Sequence, residues 1–574
     1  MPSESRARAQ VSRTAWIGVC VLVLVAPFEA LTPLVDLRAQ SVTTVETAIL
    51  CVLSAWLAAL VWARVMPMWR TSLTLPWFVL LAVMLVAAVA APAHRANAAN
   101  MVGRFGVGLA VFLLTVNGVT TPARMHGLLV AAAAAGATIS LLVVTEYLGL
   151  AVVTEWLLFF RERVAVIGPQ VRAAGPFQYP TIASMYLEIV FAFVLGLLPM
   201  TFDAGRRALS VVVVVLLVLI AEAITLTFTR AGLLTMASTM GIVGLLRYRR
   251  QGFDSAVKAI VGLAVLIGLQ VLATRPAESI LLRITTEGQQ SWYGAVVEAP
   301  ADLAIPAGAV VSVPVKLTNK GRVTWDPAAA APFLLSYHWL AADGEQVVEF
   351  EGLRTAFPSV VSPGATIAVE ARVKAPGVPG RYRLLWDIGI ERRLWFSTDP
   401  NAERFLSSVT VTGSPVGPPP VSRVTRIPRA MPVPDRLTLW RAGARMVWAH
   451  PLLGVGPDNF RLVYGEYAGL SRLDTRLNSH NMYLEMLVGG GVVGGVAFAW
   501  LCVRAAVACV RAVRGAGRRM AAPVAGVAAG VAAIALHGIV DTFLSFTATY
   551  VLFAITLGLA AASAEMDDHD ASRG

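Results

Sequence analysis

The chain has 574 residues, 57% of them hydrophobic and 14% charged, with a mean hydropathy of +0.68. A soluble globular chain carries about a quarter charged residues, so this composition excludes a water-soluble enzyme or scaffold and points to a bilayer. The net charge of +12 does not signal nucleic acid, because the arginines sit in short gaps between apolar runs rather than in one basic stripe.

A membrane-spanning helix needs about 20 mainly apolar residues. Twelve stretches qualify: 14–34, 44–63, 73–92, 99–118, 126–149, 181–201, 208–228, 231–247, 256–273, 482–503, 521–543 and 546–564. The first follows Arg6, Arg8 and Arg13 in the manner of a signal peptide, but further spans follow at once, so it reads as an uncleaved helix. Arginine and lysine alternate between the two sides. Arg64, Arg70, Arg124, Arg206, Arg207, Arg247, Arg249, Arg250, Lys258, Arg504, Arg511, Arg514, Arg518 and Arg519 join the N-terminal arginines on one side, and the other side's short loops hold Arg38, Arg95 and Arg230. The positive-inside rule makes the first side cytoplasmic, with both termini there. Cys20, Cys51, Cys502 and Cys509 lie in apolar runs with no CxxC spacing, which indicates neither a disulfide framework nor a zinc site.

This topology puts two long segments outside, 150–180 and 274–481. In the second, "VVSVPVKLTNKG" alternates Val311, Val313, Val315 and Leu317 with polar neighbours, and "YRLLWDIGIE" sets Tyr382, Leu384, Trp386, Ile388 and Ile390 on one face. Period-two runs between Gly, Pro, Asn and Asp turns predict an antiparallel β-sandwich over 292–413. A proline-rich stretch, 414–434, reads as a stiff tether. Residues 435–481 follow as a helix and loop. Leu437, Trp440, Ala444, Val447 and Trp448 share one helical face, with Arg436, Arg441 and Arg445 around the rest. That pattern suits a helix on the outer membrane interface, or one packed on the sandwich. The expected fold is therefore an all-α polytopic membrane protein of about twelve spans: nine over 1–274, the last three over 482–564, and a β-sandwich inserted between them. The acidic run "EMDDHD" at 565–570 reads as a solvated tail.

Polar groups converge on the outer side. His480 and Asn481 stand where the chain re-enters the membrane, so the free N–H groups and positive dipole end of the next helix point toward them. Such a helix start favours an anion and keeps an imidazole neutral, hence able to accept a proton; a snorkelling anchor is the alternative for His480. Gly490/Gly494 and Gly491/Gly495 have small-xxx-small spacing for close helix packing. Arg230 lies at a tight junction between spans, with Glu222 two turns earlier as its candidate partner. Arg161, Arg163 and Arg172 in the first outer loop, with Arg461 and Arg476 in the second, complete a basic surface. Each arginine is either an interface anchor or a ligand; as a set over a helix start they suit a lipid-linked phosphate or diphosphate.

"RAAGPFQYPTIAS", "TFTRAGLL", "WRAGARMVWAHPLLGVGPDNFRLVY" and "NSHNMYLEMLVGGGVVGG" resemble, in order, the motifs of the O-antigen ligase/O-antigen polymerase family of bacterial membrane glycosyltransferases. "HGIVDTFLSFTATYVLFAITLGL" is similar to that family's C-terminal end. The resemblance covers about 99–250 and 430–565. Pro180-Thr181 stands where the family commonly has Pro-Asn, and the inserted sandwich, similar to immunoglobulin-like modules, is extra. What the resemblance implies is transfer of a glycan from an undecaprenyl-diphosphate carrier to an acceptor hydroxyl at the periplasmic face of the inner membrane. The acceptor is lipid A-core, another glycan as in O-antigen or exopolysaccharide polymerisation, or a protein as in O-oligosaccharyl transfer. His480 would be the base, Arg172 and Arg230 the favoured diphosphate contacts with Arg161, Arg163, Arg461 and Arg476 around them, and Asn481 and Gly456 would support. No metal, cofactor or nucleic-acid partner is implied. A flippase or transporter for the lipid-linked glycan is the rival of a different class. It would require ionisable groups at mid-membrane, of which Glu188 is a candidate, and two related halves, of which the sequence shows no sign. A receptor that uses the spans only as an anchor is a second rival.

Overall fold

A computed structural model of the chain describes residues 2–37, 40–162, 164–167, 170–274, 293–329, 332–390, 394–398, 403–417, 422, 424–427, 434–470 and 473–571. The chain divides into two compact units, one of residues 1–165, 171–284 and 434–574, the other of 166–170 and 285–433.

The helices are α1 (Pro2–Val25), α2 (Thr44–Ala63), α3 (Thr74–Ala90), α4 (Arg95–Gly118), α5 (Pro122–Tyr147), α6 (Ala151–Leu157), α7 (Pro180–Asp203), α8 (Arg207–Leu226), α9 (Arg230–Gln251), α10 (Ser255–Thr274), α11 (Arg436–Ala449), α12 (Phe460–Ala468), α13 (Met482–Gly515), α14 (Ala521–His537) and α15 (Thr547–Ala571). Short hairpins join β1 (Val35–Leu37) to β2 (Gln40–Val42) and β3 (Ala165–Ile167) to β4 (Gln170–Arg172). Among the described residues each of the twelve apolar runs contributes to a helix, although the first, expected over 14–34, is helical only to Val25, and ten of these helices are long and apolar enough to cross a membrane. The other two, α3 and α14, have 17 residues each, which gives about 25 Å of helix against about 30 Å of hydrocarbon. The span expected over 521–543 thus ends early, at His537, where the N–H groups of Val540 and Asp541 both turn back to the His537 carbonyl. The acidic run expected as a tail continues the α15 backbone as helix to Ala571.

Two helices, α7 and α15, are almost wholly buried inside the bundle, whereas α2 and α10 leave most of their apolar surface outward. Contact between α7 and α14 is very close because Gly196 meets Gly526: a Cβ on Gly196 would lie 2.9 Å from Gly526 Cα. That crossing brings the end of α14 alongside the first turns of α7 and fixes the place of the candidate site.

The second unit holds two β-sheets. Its strands are β5 (Ala295–Glu298), β6 (Asp302–Pro306), β7 (Val310–Asn319), β8 (Phe333–Ala341), β9 (Val347–Glu349), β10 (Thr355–Ala356), β11 (Thr366–Lys374), β12 (Gly380–Ile390), β13 (Leu394–Trp395) and β14 (Leu406–Thr412). One sheet runs β10-β8-β12-β14-β6, with β9 beside β8 and β13 beside β12; the other runs β11-β7-β5. Among the described residues the pairings are antiparallel except β14 with β6, which departs from the purely antiparallel expectation. Val313, Val315 and Leu317 of β7 are buried as the alternation predicts. Bonds that join the sheets include Trp339 Nε1–H to the Lys374 carbonyl at 2.9 Å, the Lys374 N–H to Tyr337 Oη at 2.8 Å and the Arg372 N–H to Thr355 Oγ1 at 3.2 Å. Leu385, on the opposite face of β12, is also buried, under Leu340, Val347 and Ile427. Ile427 belongs to the stretch expected as a tether, and Val347 N–H donates to the Thr425 carbonyl at 3.0 Å. Part of that stretch is therefore packed on the sheets rather than free.

Candidate active site

His480 sits in a segment held from several sides. Its φ is 51°, a left-handed conformation that costs a non-glycine residue about 1–2 kcal/mol and so needs support. Asn478 Oδ1 accepts from the His480 N–H at 2.9 Å, and Asn481 Oδ1 caps α13 by accepting from Leu484 N–H at 2.9 Å. Glu485, buried in the first turn, accepts from Ser479 N–H at 2.6 Å, and Trp440 Nε1–H donates to the Ser479 carbonyl at 3.0 Å. The His480 side chain is 29% exposed, and its Nδ1 lies 3.6 Å from Asp541 Oδ1. That is ion-pair distance but long for a hydrogen bond. Its Nε2 has no hydrogen-bond partner among the described residues.

Asp541 belongs to the connection 538–546, beyond the end of α14. Burial pushes its carboxyl up, but the His480 and His537 rings and the Thr542 N–H outweigh burial and hold it below the ordinary carboxylate range. A carboxylate thus stands behind Nδ1 on the side away from the exposed edge of the ring, the arrangement found behind the imidazole of a carboxylate–histidine base.

The start of α13 differs from expectation. Met482 N–H is taken by the carbonyls of Gly538 and Asp541, at 2.8 and 3.1 Å, and Leu484 N–H by Asn481. These donors are spent on the protein, so the helix offers an anion its dipole rather than a cradle of free N–H groups.

The glycine run also has another purpose. Within α13, Gly491 has φ 62° and ψ −164°, which breaks the helix. The loop of "P-x-x-G-x-G" fills the break: Val455 and Gly456 N–H groups donate to the Val488 and Gly489 carbonyls at 2.9 and 3.1 Å, and Val492 N–H donates to the Pro451 carbonyl at 2.8 Å. A Cβ at Gly491 would lie 2.3 Å from Leu452 C, and one at Gly454 2.1 Å from Val488 O. Gly456, at φ 99°, is part of this same joint. Gly490 and Gly494 do pack closely, on Met84 of α3. Two motifs that look separate in sequence are thus one unit beneath His480.

Helix α11 is capped by Asp435, which accepts from Thr438 N–H at 2.7 Å; that bond holds its carboxyl below the ordinary range. Its buried face is Leu439, Ala442, Gly443 and Met446, packed near Val455, Phe460, Tyr464 and Val488. The face expected to be apolar is split: Trp440 and Val447 pack at the edge of this cluster, whereas Leu437, Ala444 and Trp448 are outward, Trp448 at 89% exposure. This surface is the one available to an interface.

The arginines fall into two groups. Arg172 Nε–H donates to the Thr227 carbonyl at 3.0 Å and Ala173 N–H to the Leu226 carbonyl at 3.1 Å, which clips the first loop to the α8–α9 junction. Arg230 opens α9 at that junction, half-buried and without a partner among the described residues. The expected partner, Glu222, instead accepts from Gln270 Nε2–H at 2.7 Å. Arg476 is exposed between Asp474 and Glu162, at 3.2 and 3.4 Å; the hydrogen bond and charge of Asp474 raise its pKa further. Arg161 is only 2% exposed and pairs with Glu146 at 2.6 Å, and Glu146 also accepts from Ala174 and Gly175 N–H groups. Through Glu146 it ties α5 to the loop that carries Arg172. Arg461 is committed to Asp458, Asn97 and the Thr475 carbonyl at 2.8, 2.6 and 3.0 Å. Arg163 lies outside the described residues.

A chain of contacts connects the two ends of the site. Gly232, two residues after Arg230, packs on Ser184 and Glu188; Glu188 bonds His537; and His537 leads into the turn that carries Asp541 beside His480. Asp541 and His537 had not been singled out in the sequence. Their signal was present: "HGIVD" ends an apolar run with two ionisable groups, which is costly unless they have partners.

No curated protein matches the chain. Residues 429–499 match the family model described as O-Antigen ligase, a stretch that includes α11, the glycine loop, α12, His480 and the break in α13. Trp440, the glycine joint, His480, Asn481 and Glu485 lie in this segment, whereas Arg172, Arg230, His537 and Asp541 lie outside it; over residues 429–499 the chain thus carries an O-antigen ligase family domain.

Proposed function

We propose that the chain transfers a glycan from an undecaprenyl-diphosphate carrier to an acceptor hydroxyl at the periplasmic face of the bacterial inner membrane. The observation that carries this reading is the pairing of an unpartnered arginine, Arg230 beside Arg172, with an imidazole backed by a carboxylate, His480 with Asp541. Sidedness is supported by the arginine and lysine distribution, which puts both termini in the cytoplasm and this end of the bundle outside.

In this mechanism His480 Nε2 takes the acceptor proton as the acceptor oxygen bonds to the anomeric carbon. The bond from that carbon to the diphosphate oxygen breaks, and undecaprenyl diphosphate leaves with its negative charge met by Arg230 and Arg172. Asp541 steadies the imidazolium. The reaction needs no metal in this reading, since arginines counter the charge and histidine moves the proton. Lipid A-core is the proposed acceptor; glycan and protein hydroxyls are the alternatives.

The test is reconstitution of the pure protein in vesicles with an undecaprenyl-diphosphate glycan and lipid A-core, a second donor glycan or a protein as acceptor. A new glycoconjugate supports transfer and names the acceptor. Movement of the donor between leaflets with no product would establish the flippase instead, and binding alone the receptor.

A further inference from the structure

Inward from His480 and Asp541 lies a second carboxylate–imidazole pair, inside the helix bundle. His537 closes α14, and its Nδ1 lies 2.8 and 3.0 Å from the two carboxylate oxygens of Glu188, just over two turns into α7. Ser184 Oγ–H donates to Glu188 Oε1 at 2.6 Å. Both members of the pair are buried. A Cβ at Gly232 would stand 2.2 Å from Ser184 Oγ and 3.0 Å from Glu188 Oε1, so α9 touches the pair immediately after Arg230. From His537 the chain turns at once to Asp541, and this turn accepts the first N–H of α13, directly after His480 and Asn481.

Stability is a poor reason for such a pair. Taking a carboxylate and an imidazole out of water costs energy that their attraction repays only in good geometry, and apolar residues of equal volume often serve a core as well or better. Ionisable groups inside a membrane bundle point to function. Glu188 was a candidate for a transporter's mid-membrane site, but its bonds run to His537 and Ser184, behind the His480 turn.

We infer that Glu188 and His537 are positioning residues of the transferase site, which set the height of the Asp541 turn and so aim the His480 imidazole relative to Arg230. The inference rests on the reading of His480 as base. The α8–α9 junction has its own clips, through Ala173 and Arg172, whereas the 538–541 turn leans on the pair. Loosening the pair therefore shifts the base and leaves the donor site in place.

The test uses the full-length protein in vesicles with its donor and the acceptor that supports turnover. Glu188→Gln, His537→Leu, His537→Gln and the double variant Glu188→Gln/His537→Leu are compared with His480→Ala, with thermal unfolding as the check on folding. Folded single variants are expected to lose about 10- to 100-fold in kcat, less than the roughly 10²–10⁴-fold for the base, with donor KM nearly unchanged. His537→Gln, which keeps an N–H for Glu188, is expected to retain more activity than His537→Leu. The double variant should be no slower than the slower single, because the two act as a unit. Wild-type kcat in folded Glu188→Gln or His537→Leu, with His480→Ala inactive, overturns the inference alone; an active His480→Ala overturns the base reading beneath it. If the pair variants do not fold, Ser184→Ala decides. It removes one hydroxyl bond to Glu188, and a several-fold lower kcat supports the inference whereas a wild-type kcat overturns it.

Discussion

At the scale of single residues, the two halves of the proposed chemistry depend on charge placement. Arg230 owes its value to being a half-buried guanidinium without a partner among the described residues, poised to meet a phosphate bidentately. Arg230→Lys keeps the charge and loses the fork, so the donor KM should rise, with a smaller effect on kcat, in the reconstituted assay. An unchanged KM would remove Arg230 from the donor site. Arg161 makes the contrasting case. Glu146→Gln would leave a buried arginine without its counter-charge, and the expected loss is about 3–5 kcal/mol of stability, read by unfolding in detergent. His480, Arg172 and Arg230 were legible in the sequence because each stands within a short motif whose neighbours announce it. Asp541 was not, because its partner is 61 positions away in the chain and only the turn after α14 brings them together. The bond of Arg461 to Asn97, 364 positions away, was hidden for the same reason, and Glu146 identifies itself as the partner of Arg161 only once the end of α5 and the loop after α6 are placed.

The central element is the broken helix α13 with the glycine loop seated in it. An unbroken helix would keep the Val488 and Gly489 carbonyls and the Val492 N–H within its own ladder; here the 451–456 loop supplies their partners. Gly491→Ala adds a Cβ 2.3 Å from Leu452 C at a left-handed φ, a strain of at least about 1–2 kcal/mol before the clash is counted. Its expected result is a lower unfolding temperature together with lower transfer activity; Gly517→Ala, with open space around the new Cβ, is the control and should behave as wild type. An unaltered Gly491→Ala protein would show that the joint does not support the site. In sequence this glycine run reads as helix packing, and for Gly490 and Gly494 on Met84 that reading fits the structure. The break itself was not legible, since three consecutive glycines permit either a tight crossing or a kink, and only the bonds from the loop select the kink.

The whole molecule combines an apolar bundle with a β-sheet unit inserted between α10 and α11. Apolar run length located the twelve long helices, though not the short α6 and α12, and alternation located β7 and β12 but not the shorter strands around them. What the patterns left out was where α14 stops, because Ile539, Val540 and Phe543 continue the apolar run past the last helical residue. Sidedness is tested by substituting the native cysteines with alanine and adding single cysteines at Ser362 in the β unit or at Arg518. An impermeant maleimide applied from the periplasmic side should label Ser362→Cys and spare Arg518→Cys; the reverse pattern would invert the topology. The claim that joins all three scales is that His480 is the base of a glycan transfer, held at its place by Asp541. Turnover of an undecaprenyl-diphosphate glycan by reconstituted His480→Ala measures it most directly. The account predicts a loss of about 10²–10⁴-fold with the protein folded and in the membrane; transfer near the wild-type rate would contradict it.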